Sequence, residues 1–127
     1  MSHIANYATE IQNPDLNLLA QAFQVVAQTH GGQVGSQVFE YSNSYAQDVQ
    51  LALTTPNFKR GIGIKIGANG KLEFVGDPYN AQKQWAELQQ EILNTFTALG
   101  FNDALLELGY AVDIEQSNGE IQLTALA

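Results

Sequence analysis

The sequence predicts an α+β domain, a mainly antiparallel sheet with two principal helices packed on one face. Three observations carry this. Two segments, Leu16 to His30 and Ala81 to Leu99, place apolar residues at three- and four-residue steps, and each is entered through an Asx-Pro pair. Between them lie several short apolar runs separated by turn residues. A last pair of alternating runs flanks Ser117-Asn118-Gly119, the signature of a hairpin.

Taken in order, Ser2 to Ile11 alternates mildly and lacks helix signals, which predicts a first strand. Asn13-Pro14-Asp15 then supplies an N-cap with proline in the first turn, because an Asx oxygen satisfies free N–H groups and proline has none to lose. The helix carries Leu16, Leu19, Phe23, Val26 and His30 on one stripe, with Asn17, Gln21, Gln24 and Gln28 away from it, and Gly31-Gly32 stops it. Val34, Val38, Phe39 and Tyr41 predict a second strand, and Val49 to Thr54 a third after the polar stretch Ser42 to Asp48. Pro56-Asn57 is a turn. Ile62, Ile64 and Ile66 alternate with Gly61, Gly63 and Lys65, and the alternation resumes at Leu72 and Phe74 beyond Ala68-Asn69-Gly70.

Asp77-Pro78 repeats the Asx-Pro device before the longest stripe, Ala81, Trp85, Leu88, Ile92, Phe96 and Leu99, which is expected to end at Gly100. Asn102-Asp103 is expected to cap a short continuation through Leu105, Leu106 and Leu108, closed by Gly109. Tyr110, Val112 and Ile114 then pair with Ile121 and Leu123. The 127 residues read as a single domain, 1–127, long enough to bury a core of their own. Strand order is not encoded in any local pattern.

Thirteen Asp and Glu against five Lys and Arg give a net charge of −8, which repels phosphate backbones and anionic lipid and leaves a basic protein partner open. The absence of cysteine removes disulfides, thiolate catalysis and cysteine-rich metal sites, and fits a reducing compartment. MSHIANYATEIQ has no basic region followed by an apolar core, and no run approaches the roughly 20 apolar residues of a membrane span. A cytoplasmic setting with no membrane and no nucleic-acid partner is the expectation.

The stretch GIGIKIGANGK, Gly61 to Lys71, has the look of a phosphate-binding loop and fails the test. Gly70-Lys71 is followed by Leu72 rather than Ser or Thr, and Lys65 stands where the loop needs its first glycine. Nor are Gly61, Gly63 and Gly67 spaced as a dinucleotide fingerprint between strand and helix. A hairpin remains. Its glycines thin one face of the strand beside Lys65, and a bulge, packing under a side chain, or contact with a ligand or partner would each explain them. Gly61, Gly63, Lys65 and Gly67 are thus the candidate interaction surface.

Two histidines are the candidate bases or metal ligands. His30 falls on the apolar stripe at the end of the first helix, where core packing or capping explains it better than catalysis does. His3 would complete a nitrogen site for copper or nickel with a free N-terminal amine, provided that Met1 is retained. Glu87 and Glu91 are expected on the solvated face of the long helix. Glu107, Asp113, Glu115 and Glu120 make the C-terminal region acidic, with no Lys or Arg after Lys83. No acid–base pair and no glycine-flanked serine elbow is evident, and Tyr7, Phe23, Phe39, Trp85 and Phe96 read as core. No catalytic residue is assigned, and the cofactor is left open.

Met1-Ser2-His3-Ile4, the helix entered near Asn13, the Gly61-Ile62 hairpin, the Trp85 helix, and Gly109-Tyr110 through the Asn118-Gly119 hairpin together resemble one family. It is the uncharacterised family typified by hypothetical chloroplast reading frame thirty-five, of cyanobacteria, plastids and other bacteria. The resemblance covers nearly the whole chain and implies a fold and a cytosolic or stromal setting, with no catalytic residues to carry over. Only Ser2 and His3 fall on a motif. Family members carry a more basic, tryptophan-bearing C-terminal segment where this chain has Leu123-Thr124-Ala125-Leu126-Ala127.

The expected function is that of a small non-enzymatic accessory protein that meets another protein, or copies of itself, through sheet edges or the glycine-thinned hairpin. The alternative is a small-ligand or metal-binding protein, with catalytic capacity open, that uses His3.

Overall fold

The structure, a computed structural model, describes residues 3–42, 44–107, 111–117 and 120–126, the last two segments by their backbone alone. Strand β1 (Ala5–Gln12) leads into helix α1 (Leu16–His30). The cap expected of Asn13-Pro14-Asp15 falls on Asp15, whose Oδ1 accepts from the N–H groups of Asn17 and Leu18 at 2.9 and 3.2 Å. Asn13 has φ 46° and donates its N–H to the Gly70 carbonyl at 2.8 Å, which ties the helix entry to the hairpin turn beyond it. At the other end Gly31, at φ 65°, takes the left-handed conformation that lets the N–H of Gly32 reach the Ala27 carbonyl at 2.8 Å.

Four strands follow as a meander: β2 (Gln33–Phe39), β3 (Ala46–Thr55), β4 (Phe58–Ile66) and β5 (Lys71–Gly76). The sheet order is β1-β5-β4-β3-β2 with every pair antiparallel. Helix α1 therefore carries the chain from one edge of the sheet to the other, and the meander returns it to β1. Tyr7, Phe74, Ile64 and Leu51 form one cross-strand row, and Gly76, Ile62 and Leu53 another. Both rows face the helices.

Helix α2 (Gln82–Glu107) packs beside α1 on that face. Leu19, Phe23 and Val26 of α1 and Trp85, Leu88 and Ile92 of α2 close over Leu53, Phe58, Ile62, Ile64, Leu72 and Phe74, which makes the main core. The opposite face carries a smaller cluster of Val38, Ala52 and Val75. The α+β class with an antiparallel sheet and two helices on one face is as expected from the sequence.

Several boundaries differ from expectation: β2 ends at Phe39, short of Tyr41, β3 begins at Ala46 within the polar stretch rather than at Val49, and both ends of α2 move. Helix α2 begins at Gln82, and Asp77 does not cap it; the buried Asp77 carboxylate instead accepts from the N–H groups of Tyr41 at 2.8 Å and Tyr79 at 3.1 Å. Nor does α2 stop at Gly100 for a second helix capped by Asn102-Asp103, since it runs unbroken to Glu107. A glycine costs about 1 kcal/mol in a helix interior. Packing overrides that cost, because α2 lies along α1 and Leu18 sits beside Gly100.

Strands β6 (Ala111–Ser117) and β7 (Glu120–Leu126) form a separate two-stranded sheet beside α2, with Ile114 opposite Leu123 and Gln116 opposite Ile121. The expectations for Met1, Ser2, Leu108, Gly109, Tyr110 and the Asn118-Gly119 turn fall outside the described residues. Among the described residues no helix is long and apolar enough to cross a membrane.

Candidate functional site

The glycine-rich strand lies inside the sheet. Strand β4 is its central strand, and Gly61 and Gly63 are buried. A Cβ on Gly63 would lie 2.8 Å from a methyl of Val49 and 3.0 Å from one of Val38, because both valines pack into the small cluster on this face. Gly61, at φ 87°, sits where the register between β3 and β4 shifts. Both positions are thus explained from within, by a bulge and by close packing, and neither offers a surface to a partner as expected of them. Lys65 is half-buried with its Nζ 3.9 Å from Glu73 Oε1, and Gly67 closes the turn by donating to the Lys71 carbonyl at 2.9 Å.

His3 is exposed just before β1. Among the described residues no group of three or more His, Cys, Asp or Glu is placed to hold a metal ion.

Two other constellations are built by the fold. The first joins the helices. Glu87 is exposed as expected, but Glu91 is 6% exposed, because the flank of α2 that carries Leu88, Glu91 and Thr95 turns toward α1. His30, the last residue of α1, meets it with Nε2 2.6 Å from Glu91 Oε2. The imidazole side chain is 35% exposed, so one partner of the pair is wet and the other dry. Glu91 Oε1 is buried and has no hydrogen-bond partner. Both residues line a cleft of about 460 Å³ floored by Phe58 and Leu88, with Glu87 at its side.

The second constellation is an array of rings around Arg60. Its guanidinium lies 4.9 Å from the ring centroids of both Tyr41 and Phe58. Its Nη1 donates to the main-chain carbonyls of Asp77 at 2.8 Å and Tyr79 at 2.5 Å. Tyr41 meets Tyr79 edge-on at 5.1 Å, and Phe58 meets Trp85 at 6.2 Å, which in turn meets Tyr7 at 5.4 Å. Tyr41, Tyr79 and Tyr7 are 52%, 38% and 38% exposed. The array therefore runs from the buried core to the surface, and a single arginine fixes its outer end.

Sequence reasoning placed Tyr7 and Trp85 in the core, set Tyr41 in the second strand, which in fact ends at Phe39, and gave Arg60 and Tyr79 no role. No local signal joins three residues on separate turns and strands. The Asp77-Pro78 step did mark a special backbone, which turns out to receive the β2–β3 loop rather than start a helix.

No family model, curated protein or solved structure matches this chain.

Proposed function

We propose that this chain is a small, non-enzymatic accessory protein that meets a protein partner, or a second copy of itself, through the surface formed by Tyr41 and Tyr79 over Arg60. The observation that supports this most is the ring array itself. Tyr, Trp and Arg carry a disproportionate share of binding energy at protein interfaces. Arg60 also holds the exposed rings in place before any encounter, which lowers the ordering cost of association. A net charge of −8 favours a partner with a basic face and opposes nucleic acid and anionic lipid. The cysteine-free composition accords with a cytoplasmic setting.

Affinity capture from the source cell and sedimentation velocity, each on the wild type and on the Tyr41→Ala, Tyr79→Ala double variant, test this. A co-purifying protein or a dimer lost in the double variant is the expected result. A monomer with no partner, or a complex that the two changes leave intact, would overturn it.

A further inference from the structure

The chemistry of the Tyr41, Tyr79 and Arg60 surface selects among partners. We propose that it receives a proline-rich segment of another protein, held in the extended polyproline conformation and flanked by basic residues. This rests on the reading of that surface as an interface and goes further by naming the occupant.

The rings are set before any partner arrives. The buried Asp77 carboxylate accepts from the main-chain N–H groups of both Tyr41 and Tyr79, so one residue anchors the two backbones. Arg60 lies against the Tyr41 ring and donates to the Tyr79 carbonyl. The two rings then meet at 64° with centroids 5.1 Å apart. Tyr45, 55% exposed, stands in the same β2–β3 loop, which the Glu40 N–H closes on the Tyr45 carbonyl at 3.0 Å. Fixed, exposed aromatic rings are the means by which polyproline segments are recognised, because two stiff surfaces lose little entropy on meeting.

Hydrogen-bonding character narrows the class. Within the chain Arg60 uses only Nη1. Its Nε and Nη2 have no partner among the described residues and are not buried, unsatisfied atoms, so both reach solvent. With the phenol hydroxyls of Tyr41 and Tyr79 they form a set of donors interleaved with rings. A polyproline segment is the converse, since its prolines have no N–H, its carbonyls make no internal bonds and its rings are apolar. An ordinary extended strand would also bring N–H groups, and the Asp77 carboxylate is already committed to Tyr41 and Tyr79.

Charge sets the flanks. A net charge of −8 draws basic residues beside the prolines. It opposes a second copy, which would bring the same charge and the same donors, and whose three prolines, Pro14, Pro56 and Pro78, stand singly.

Isothermal titration of the purified full chain with a blocked peptide of about eight prolines and an arginine at each end tests the proposal. A glycine–serine peptide with the same arginines and a polyproline peptide ending in glutamates are the controls. Saturable binding of the arginine-ended polyproline with a Kd below about 1 mM is expected, weakened about tenfold or more by Tyr79→Ala. Circular dichroism checks that the variant folds. Should it unfold, amide shifts of the wild-type chain decide: on adding the peptide they move at Tyr41, Arg60 and Tyr79. No saturable binding up to about 5 mM would overturn the proposal. Equal binding of either control peptide, unchanged affinity in a folded Tyr79→Ala, or shifts confined to other regions would do the same. If the Tyr41→Ala, Tyr79→Ala double variant abolishes a captured complex or a dimer while the polyproline peptide does not bind, the proline assignment falls and the interface reading stands.

Discussion

Replacing Arg60 with methionine removes the guanidinium that joins the β2–β3 loop, the Asp77–Tyr79 turn and Phe58. Methionine keeps most of the side-chain length and its contact with the rings but loses the two hydrogen bonds to the Asp77 and Tyr79 carbonyls. Hydrogen bonds from a charged donor contribute about 1.5–3 kcal/mol each when well formed. Arg60 is half-buried and uses one nitrogen for both bonds, so the pair together is taken near the low end, about 2 kcal/mol. Stacking of the cation on two rings adds about 0.5 kcal/mol each at partly exposed positions. The expected loss is about 3 kcal/mol. For a domain of 127 residues, 1 kcal/mol moves Tm by about 4 °C, so a fall of about 12 °C follows. Urea denaturation followed by near-ultraviolet circular dichroism reads both the stability and the ordering of the tyrosines. Arg60→Lys is expected to recover only a minor part, because an ammonium lacks the planar fork that stacks and donates at once. A loss below about 0.5 kcal/mol for Arg60→Met, the size of an ordinary surface change, would refute the reasoning.

Other substitutions test neighbouring parts of the account. Gly63→Ala forces a methyl against Val38 and Val49 and should cost about 1–3 kcal/mol in urea denaturation, with part recovered by adding Val49→Ala. Gly100→Ala should raise stability by up to about 1 kcal/mol, since the added methyl meets only Leu18 at an ordinary 3.9 Å and α2 is continuous there; a loss would mean that the helix ends at this residue. Glu91→Met removes the orphaned oxygen along with the bond to His30, whose ring is exposed enough to return to water. Stability is expected to stay level or rise by about 1 kcal/mol, and a loss above about 2 kcal/mol would show that the pair serves mainly to hold the helices together.

The elements that local pattern controls were legible in the sequence. The stripes of α1 and α2, the strict alternation of Ile62, Ile64 and Ile66, and the turn at Ala68-Asn69-Gly70 all sit where periodicity and turn chemistry put them. What failed was decided by contacts between distant segments. Asp77-Pro78 looks like a helix cap until the β2–β3 loop arrives with the Tyr41 amide. Glu91 lies on the flank of its own helix and reads as solvated, and only the position of α1 makes it dry. The glycines of β4 looked like an exposed thin face because nothing local says that Val38 and Val49 fold over them. Pairing of Ala5 with Gly76 joins segments near opposite ends of the main sheet's sequence, which no window of neighbouring residues encodes.

The most direct test of the proposed function is site-specific photo-crosslinking in the source cell, with benzoylphenylalanine in place of Tyr79 and, as a comparison, in place of Gln24 on the exposed side of α1. A discrete crosslinked species, to another protein or to a second copy of the chain, should form from position 79 and not from position 24. No product from position 79 alongside a product from position 24, or the same products from both, would contradict the assignment of the tyrosine–arginine surface as the place where this protein meets its partner.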